Sequence, residues 1–418
     1  MVRLAAVARS TRARRGVRSL LGGAPPAAEV VAQLGRLGPR LFGVAAIDDE
    51  AAAEDEDPEL RAFGYALAPH AEPVRVAVRA SGDVVITART STLGPGYHVA
   101  VAHRLARLAE ELELAWLEPS PLLLPTARGA IEAAHVGWLA ARLRAGLGRT
   151  RTRIALGDAP HFHLEAPIHT PLGPRDEAWR TAVLADARAG RDAFPWWGEG
   201  PVAQASGRAL RAMWCEVPWR EPLDDDERAL LARVDADLRV VLAAGWTGDG
   251  VIEPPWAAWA ELQGWLGLDD AVVEEVARRA GDDEAAIGYR RWPMTMALSG
   301  GWTARLPGDV MTGLADDGAG LWATNGVVAI EFVSVTAVGQ RDAAALLATA
   351  PERHPVCARH DGGGRYGRVE RQIDGEVHLW HAMMAAPEAV ALLTLKGAAA
   401  DEAWALDVWR SLRWGPAE

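Results

Sequence analysis

Val74, Val76 and Val78 alternate with Arg75, Ala77 and Arg79, so one face of this segment is apolar and the other partly solvated. That period-two pattern predicts a strand, and "PVRVAVRASGDVVITARTS" as a whole predicts two strands turning at Ser81-Gly82-Asp83. The period then changes. Val101, Leu105, Leu108 and Leu112 recur at helical spacing, while His103, Arg104, Arg107, Glu110 and Glu111 fall largely elsewhere. Between strand and helix stands Gly94-Pro95-Gly96, where the glycines supply backbone freedom and the proline fixes φ. Tyr97 and His98 follow at the mouth of the helix, and His98, three residues before Val101, carries the apolar stripe to the helix N-terminus.

Similar reasoning places helices at residues 28–37, 127–147 and 226–243, and a polar helix within 269–285. "TRIALG" and "HFHLEAPIHT" predict strands, and "PLGPRDEAWRTAVLADARAG" a turn and a helix with Asp176 and Glu177 in its first turn, where acids suit the positive end of the dipole. Residues 1–27 carry no such pattern and end in "GGAPPAA", which predicts an unstructured start.

From Tyr289 the texture becomes β-rich. "TMALSGGWTARLP" predicts a strand broken at Gly300-Gly301, and "GLWATNGVVAIEFVSVTA" a hairpin turning at Asn325-Gly326. "QRDAAALLATA" predicts a helix. Further hairpin turns are predicted at Asp374-Gly375 and Pro387-Glu388, and a last helix presents Ala405, Val408, Trp409 and Leu412 on one face. The expectation is an α+β protein of two domains: a basic, flexible arm over residues 1–39, a mixed α+β domain over 40–285 rich in Trp and Pro in its second half, and a C-terminal antiparallel sheet with packed helices over 290–416.

Within 290–416, "GWTARLPGD" after an initial strand, the core strand "VVAIEFVSV" and the closing "AVALLTLKGAAADEAWALDVWRSLRW" resemble the PsbP-like/DcrB-like fold, the family that includes Eag-type chaperones of type VI secretion effectors. The resemblance implies a last strand, a short acidic gap and a closing helix, and a non-catalytic binding or chaperone module. Residues 40–280 carry no family resemblance.

Composition narrows the classes of function. Lys396 is the only lysine and Asn325 the only asparagine, while Arg, Ala and Gly abound and the 18 Trp outnumber Phe and Tyr together. These preferences follow GC-rich codons and predict a bacterial source, which weakens the Trp excess as a sign of a sugar or nucleotide site. Residues 1–40 hold eight Arg against one acid, Glu29, so +7 of a net −12 lies there and the remainder carries −19. An acidic body argues against nucleic acid as partner. No apolar run reaches the roughly 18 residues of a membrane-spanning helix, so no membrane insertion is expected. With no secretory signal pattern, and only Cys215 and Cys357 for sulfur chemistry, a reducing cytoplasmic location is expected.

Candidate chemistry is sparse. Tyr97 and His98 at a helix N-terminus could form a general base beside free backbone N–H groups, or could simply set the strand–helix angle. His161 and His163, with Glu165, point the same way on a strand and His169 lies close by, a metal-competent spacing that a solvated strand face explains equally well. His354, Cys357 and His360 recur at three-residue intervals without a visible fourth ligand. "DDDE" at 224–227 sits at a helix start, where an Asp cap accounts for it. Arg175 beside Asp176 could grip a carboxylate or phosphate. Adjacent Trp196 and Trp197 cannot both enter one core from a regular element, so with Trp214 and Trp219 they mark either a binding surface or packing between elements.

No Ser/His/Asp arrangement, phosphate loop or dinucleotide fingerprint is present, and nothing calls for a cofactor. The expected function is therefore non-catalytic binding of another protein, as an adaptor or chaperone-like protein that could serve a secretion or defence system. Its candidate contacts are Trp196, Trp197, Trp214, Trp219 and Arg175. The rival expectation is a hydrolase-type enzyme with Tyr97 and His98 in an N-terminal cleft.

Overall fold

The computed structural model describes residues 2–10, 27–49, 59–69, 71–117, 124–146, 162–163, 168–246, 252–285, 287–314, 320–337, 339 and 342–415. The chain is α+β, and among the described residues the strand pairings within the six-, four- and seven-stranded sheets are antiparallel. It divides into two compact units, residues 1–148 with 169–289, and residues 149–168 with 290–418.

The first unit opens with β1 (Arg3–Ser10), followed by α1 (Ala27–Phe42), β2 (Ile47–Asp49), β3 (Glu59–Tyr65), β4 (Val74–Arg79), β5 (Asp83–Arg89), α2 (Pro95–Glu111), β6 (Leu114–Trp116) and α3 (Arg128–Gly146). The strands form a six-stranded sheet in the order β2-β3-β4-β5-β1-β6. The expectation of an unstructured start is corrected here: β1 is an interior strand, paired with β5 from Arg3–Arg89 to Arg9–Asp83 and with β6 on its other side. Leu4, Ala6 and Ala8 alternate into the buried interior, and Arg9 binds Asp83 through two hydrogen bonds of 2.7 and 2.8 Å. The alanines hid this strand, because short side chains give period two little hydrophobic contrast. The expected arm boundary at residue 39 falls inside α1, whose Val30, Leu34, Leu41 and Phe42 pack on the same core as Val74, Val76 and Val78.

After α3 the chain forms β7 (Phe162–His163), a member of the second unit, and then returns with the ribbon of β8 (Ile168–Thr170) and β9 (Gly173–Arg175). Five α-helices follow among the described residues: α4 (Glu177–Ala185), α5 (Gly200–Cys215), α6 (Asp225–Ala243), α7 (Trp256–Leu266) and α8 (Ala271–Ala280). Capping explains where three of them start: Asp176, Asp224 and Asp270 each accept hydrogen bonds from backbone N–H groups of the first turn. A second core, with Leu210, Met213, Leu231, Leu238, Trp259 and Leu262, holds α5, α6 and α7 together. Inside it Asp235 accepts hydrogen bonds from Trp259 Nε1 and Gln263 Nε2, both at 2.8 Å, and from Arg239 Nε at 2.6 Å.

The second unit contains β10 (Met294–Ala297), β11 (Trp302–Leu306), β12 (Met311–Leu314), β13 (Gly320–Thr324), β14 (Ala329–Thr336), α9 (Ala343–Ala348), β15 (Val356–Gly362), β16 (Arg365–Asp374), β17 (Val377–Ala386), β18 (Ala389–Gly397), α10 (Glu402–Ser411) and β19 (Arg413–Trp414). Seven strands form a sheet in the order β12-β13-β14-β18-β17-β16-β15, and a smaller sheet runs β19-β11-β10-β7. The Asn325-Gly326 hairpin joins β13 to β14, with Asn325 Oδ1 accepting from the N–H groups of Val327 and Val328. Ile330, Phe332, Trp380, Leu393 and Leu395 on one face of the large sheet share a core with Trp302 of β11 and with Val408, Trp409 and Leu412 at the closing helix. On the other face, Arg368 and Glu370 form a buried ion pair at 2.7 Å. Arg368 also donates to Ala350 O and Pro351 O, and Glu370 accepts from the N–H groups of Arg353 and His354, so this pair fastens the loop after α9 to the sheet.

Candidate functional site

The turn before α2 owes its glycines to close approach. Gly94 has φ +116°, and a Cβ there would lie 2.5 Å from Trp196 O. A Cβ on Gly96 would lie 2.0 Å from Gly198 O. The two segments are also hydrogen-bonded, Gly96 N–H to Trp196 O at 3.2 Å and Trp196 N–H to Leu93 O at 3.0 Å. Pro95 at the first helical position then launches α2 with φ already set.

This geometry sends Tyr97 and His98 in different directions. The Tyr97 ring meets the edge of Trp196 with centroids 5.4 Å apart. Its hydroxyl is fully buried and finds no hydrogen-bond partner among the described residues. Burial pushes the phenol pKa far above its usual value, against the nearby positive charges of Arg104 and Arg211. His98 instead reaches Thr90, with Nδ1 2.8 Å from Thr90 Oγ1, and its ring stands edge-to-face with His135 at 5.5 Å.

His135, on α3, is the member that sequence reasoning missed. Its signal was present: Ile131, His135 and Leu139 recur every four residues on a helix, and all three are buried. His135 Nδ1 lies 2.9 Å from Ile131 O and Nε2 3.1 Å from Thr90 O. A neutral imidazole carries one N–H, so it donates to only one of these two carbonyls. Burial, the largest influence, pushes the His135 pKa down to about 4, assisted by His98 and opposed by the two carbonyl contacts. Phe194 closes the cluster, its ring 5.8 Å from that of His135. Thr90, Tyr97, His98 and His135 are all fully buried.

The expected Trp surface is corrected by burial. Trp196, Trp197 and Trp214 are 2%, 6% and 3% exposed, and Trp219 is half-buried. The adjacency argument assumed a regular element, but residues 194–198 form an irregular segment that lets both indoles turn inward. Trp196 fits against Gly207, where a Cβ would come within 2.5 Å of its ring. Trp197 packs against Phe194 at 5.8 Å and under the Arg191 guanidinium at 5.1 Å. Trp214 meets Tyr289, and Trp219 donates Nε1–H to Met213 O at 3.0 Å. Arg175 is likewise engaged within the fold, in an ion pair with Asp192 at 3.0 Å, and Asp192 also accepts from Trp179 Nε1.

The remaining candidates do not converge. His161 lies outside the described residues, while His163 is on β7 and His169 on β8, in different sheets. His354 stacks on His381 at 5.2 Å, whereas His360 stands edge-on to Trp409 at 6.2 Å, and burial raises the pKa of the Cys357 thiol between them. In the 224–227 run, Asp224 caps α6 and Glu227 binds Arg220. Among the described residues no three His, Cys, Asp or Glu side chains are grouped to hold a metal ion, and no helix is long and apolar enough to cross a membrane.

Exposed apolar residues are scattered over both units, with several of them on or between β12, β13 and β14 of the second unit. Met311 is 60% exposed, Leu314 71% and Trp322 39%, with Val327, Val333 and Val335 also exposed. Register places Val333 beside the half-buried Leu392, and Val335 beside Val390, on the sheet face opposite Ile330 and Phe332. No family model matches this chain, and no curated protein matches it.

Proposed function

We propose that this chain is a non-catalytic, cytoplasmic adaptor or chaperone-like protein whose second unit binds an apolar segment of another protein. The observation that carries the reading is the set of exposed apolar side chains at Met311, Trp322, Val333 and Val335, which strand register places on one face at one end of the seven-stranded sheet. Apolar residues concentrated at one sheet end, flanked by the acidic Glu331, have the make-up of a protein-contact face. The resemblance of residues 290–416 to the PsbP-like fold points the same way, since their seven-stranded antiparallel sheet is closed by α10. A role in secretion enters this proposal through that resemblance, and a role in defence through the acidic body of the chain alone.

The enzyme reading has one observation in its favour, the 2.8 Å contact of Thr90 Oγ1 with His98 Nδ1. Against it stands the complete burial of both groups, which gives a substrate no line of approach to the hydroxyl. The experiment is site-specific photo-crosslinking in native lysate from position 322, with Trp404, a half-buried residue packed at the core, as the reference position. A discrete adduct from 322, abolished by Val333→Glu and absent from 404, is expected. Equal labelling from both positions, or an adduct indifferent to Val333→Glu, refutes the assignment of this face.

A further inference from the structure

Residues 350–355, the stretch between α9 and β15, are fastened to β16 by a row of hydrogen bonds. Arg368 Nη2 donates to Ala350 O and Pro351 O at 2.7 and 3.0 Å. Glu370 Oε2 accepts from the N–H groups of Arg353 and His354 at 2.8 and 2.9 Å, and Arg371 N–H donates to Pro355 O at 2.9 Å. One side chain of the stretch reaches a strand further. The His354 ring lies on that of His381 in β17, with centroids 5.2 Å apart and planes 21° from parallel. Both residues are half-buried, so solvent protons reach them. Register sets Trp322, Glu331, Thr394, His381 and Glu370 in one cross-strand row, hence on one face of the sheet. The fastened stretch lies over one end of that row, while Trp322 and Glu331 stand exposed at the other.

The charges around the two rings decide how they respond to acid. Neutral imidazoles stack freely, but two imidazolium rings at this separation repel. His381 Nε2 lies 3.1 Å from Gln372 Oε1, an acceptor that suits the neutral and the charged ring alike. The stretch itself brings Arg353, and Glu352, which is paired with Arg359. From β16 come Arg368 and Glu370, and from β18 Lys396, one strand away on the same face. The helix α9 is built of Ala and Leu and brings no titratable side chain. Glu370 is the acid beside the pair, and it already accepts from Arg368 Nε at 2.7 Å as well as from the two N–H groups. Burial raises its pKa, but these hydrogen bonds outweigh burial and hold it below the usual carboxylate value, so it stays ionised while histidines titrate. Burial first, then His354, and more weakly Arg353, lower the His381 pKa, with Glu370 opposing them. An unfolded histidine titrates near 6.5, so the released stretch binds protons more readily than the fastened one. Its attachment is therefore strongest above about pH 6.5 and weakens as pH falls.

We propose that His354 and His381 form an acid-sensitive latch: it holds residues 350–355 on the sheet while both rings are neutral and releases them when both are protonated, uncovering β16 and β17 on the face that carries Trp322 and Glu331. The latch would enlarge the face assigned above to a partner, yet it operates in the isolated chain and does not depend on that assignment.

The test is amide hydrogen exchange of the full chain at pH 7.5 and pH 5.5, corrected for the intrinsic pH dependence and read at the amides of Arg353 and His354. Their protection should fall by about threefold or more at the lower pH, the scale of one solvent-screened charge pair, while the amides of β18 stay protected. In His354→Gln and in His381→Gln, which keep a polar side chain but remove one of the two charges, most of that fall should vanish. An imidazole NMR titration should also show the His381 pKa rising in His354→Gln. The comparison of pH values on the unmodified chain does not depend on any variant folding. Protection unchanged between the two pH values overturns the proposal, as does a fall retained in full in both variants.

Discussion

Acid should weaken the first unit through His135, and the size of the effect follows from its surroundings. The ring is fully buried, with one nitrogen 2.9 Å from Ile131 O and the other 3.1 Å from Thr90 O. Two opposed influences act on it. Both carbonyls favour the doubly protonated ring, while burial and the neighbouring His98 disfavour the charge, and burial is the larger, leaving the pKa at about 4. An unfolded histidine titrates near 6.5. Between about pH 6.5 and 4 the unfolded state therefore binds more protons than the folded one, so stability rises with pH across that window. The contribution is fully present above pH 6.5 and is lost as pH falls toward 4. At pH 4.5 the linkage relation gives a loss of roughly 2 kcal/mol relative to pH 7, or between one and two orders of magnitude in the opening equilibrium.

Carboxylates elsewhere also titrate in acid, so the measurement must be a difference. Amide hydrogen exchange in α3, corrected for the intrinsic pH dependence, reads the opening of that part of the chain without requiring the two units to unfold together. His135→Met removes the titrating group while keeping an apolar side chain of similar volume. The unmodified chain should lose roughly 2 kcal/mol more protection than His135→Met between pH 7 and pH 4.5. A side-chain NMR titration should show the His135 ring neutral at pH 6. A difference of zero, or one of opposite sign with the ring titrating above 6.5, would show that the two carbonyls outweigh burial and would refute the reasoning.

Two further outcomes follow from packing. Gly96→Ala places a methyl group against the backbone oxygens Gly198 O and Trp197 O, which cannot move away as a side-chain tip can, and should destabilise the first unit by about 3 kcal/mol; a fall in melting temperature no larger than that of Gly129→Ala, an open position, would contradict the close approach. Asp235→Ala leaves Trp259 Nε1, Gln263 Nε2 and Arg239 without their shared acceptor and should cost about 3 kcal/mol; urea titration with retained midpoint would show that the buried network contributes nothing.

Much of the fold was legible because its signals are local. The hairpin at Asn325-Gly326, the strands around Ser81-Gly82-Asp83 and the acid-capped helices at Asp176 and Asp224 all follow from residues a few positions apart. The site was legible only in part. Tyr97 and His98 stood out at a strand–helix junction, but His135 looked like one more residue of an amphipathic helix, and Thr90 like the end of a strand. Trp196 and Trp197 misled because a rule for regular elements was applied to an irregular segment.

By itself, then, the amino-acid order determined the period of each element and the face it hides, since these depend on side chains within one or two turns or on alternate strand positions. Where each hidden face is spent was decided by the tertiary structure. Only there does an alanine-rich start become an interior strand, Trp196 turn inward against Gly96 and Gly207 while Trp197 packs on Phe194, and residues 90, 98 and 135 meet around one pair of rings. The physical reason is that burial and hydrogen-bond satisfaction are properties of distant segments brought together, and no local window of sequence carries them.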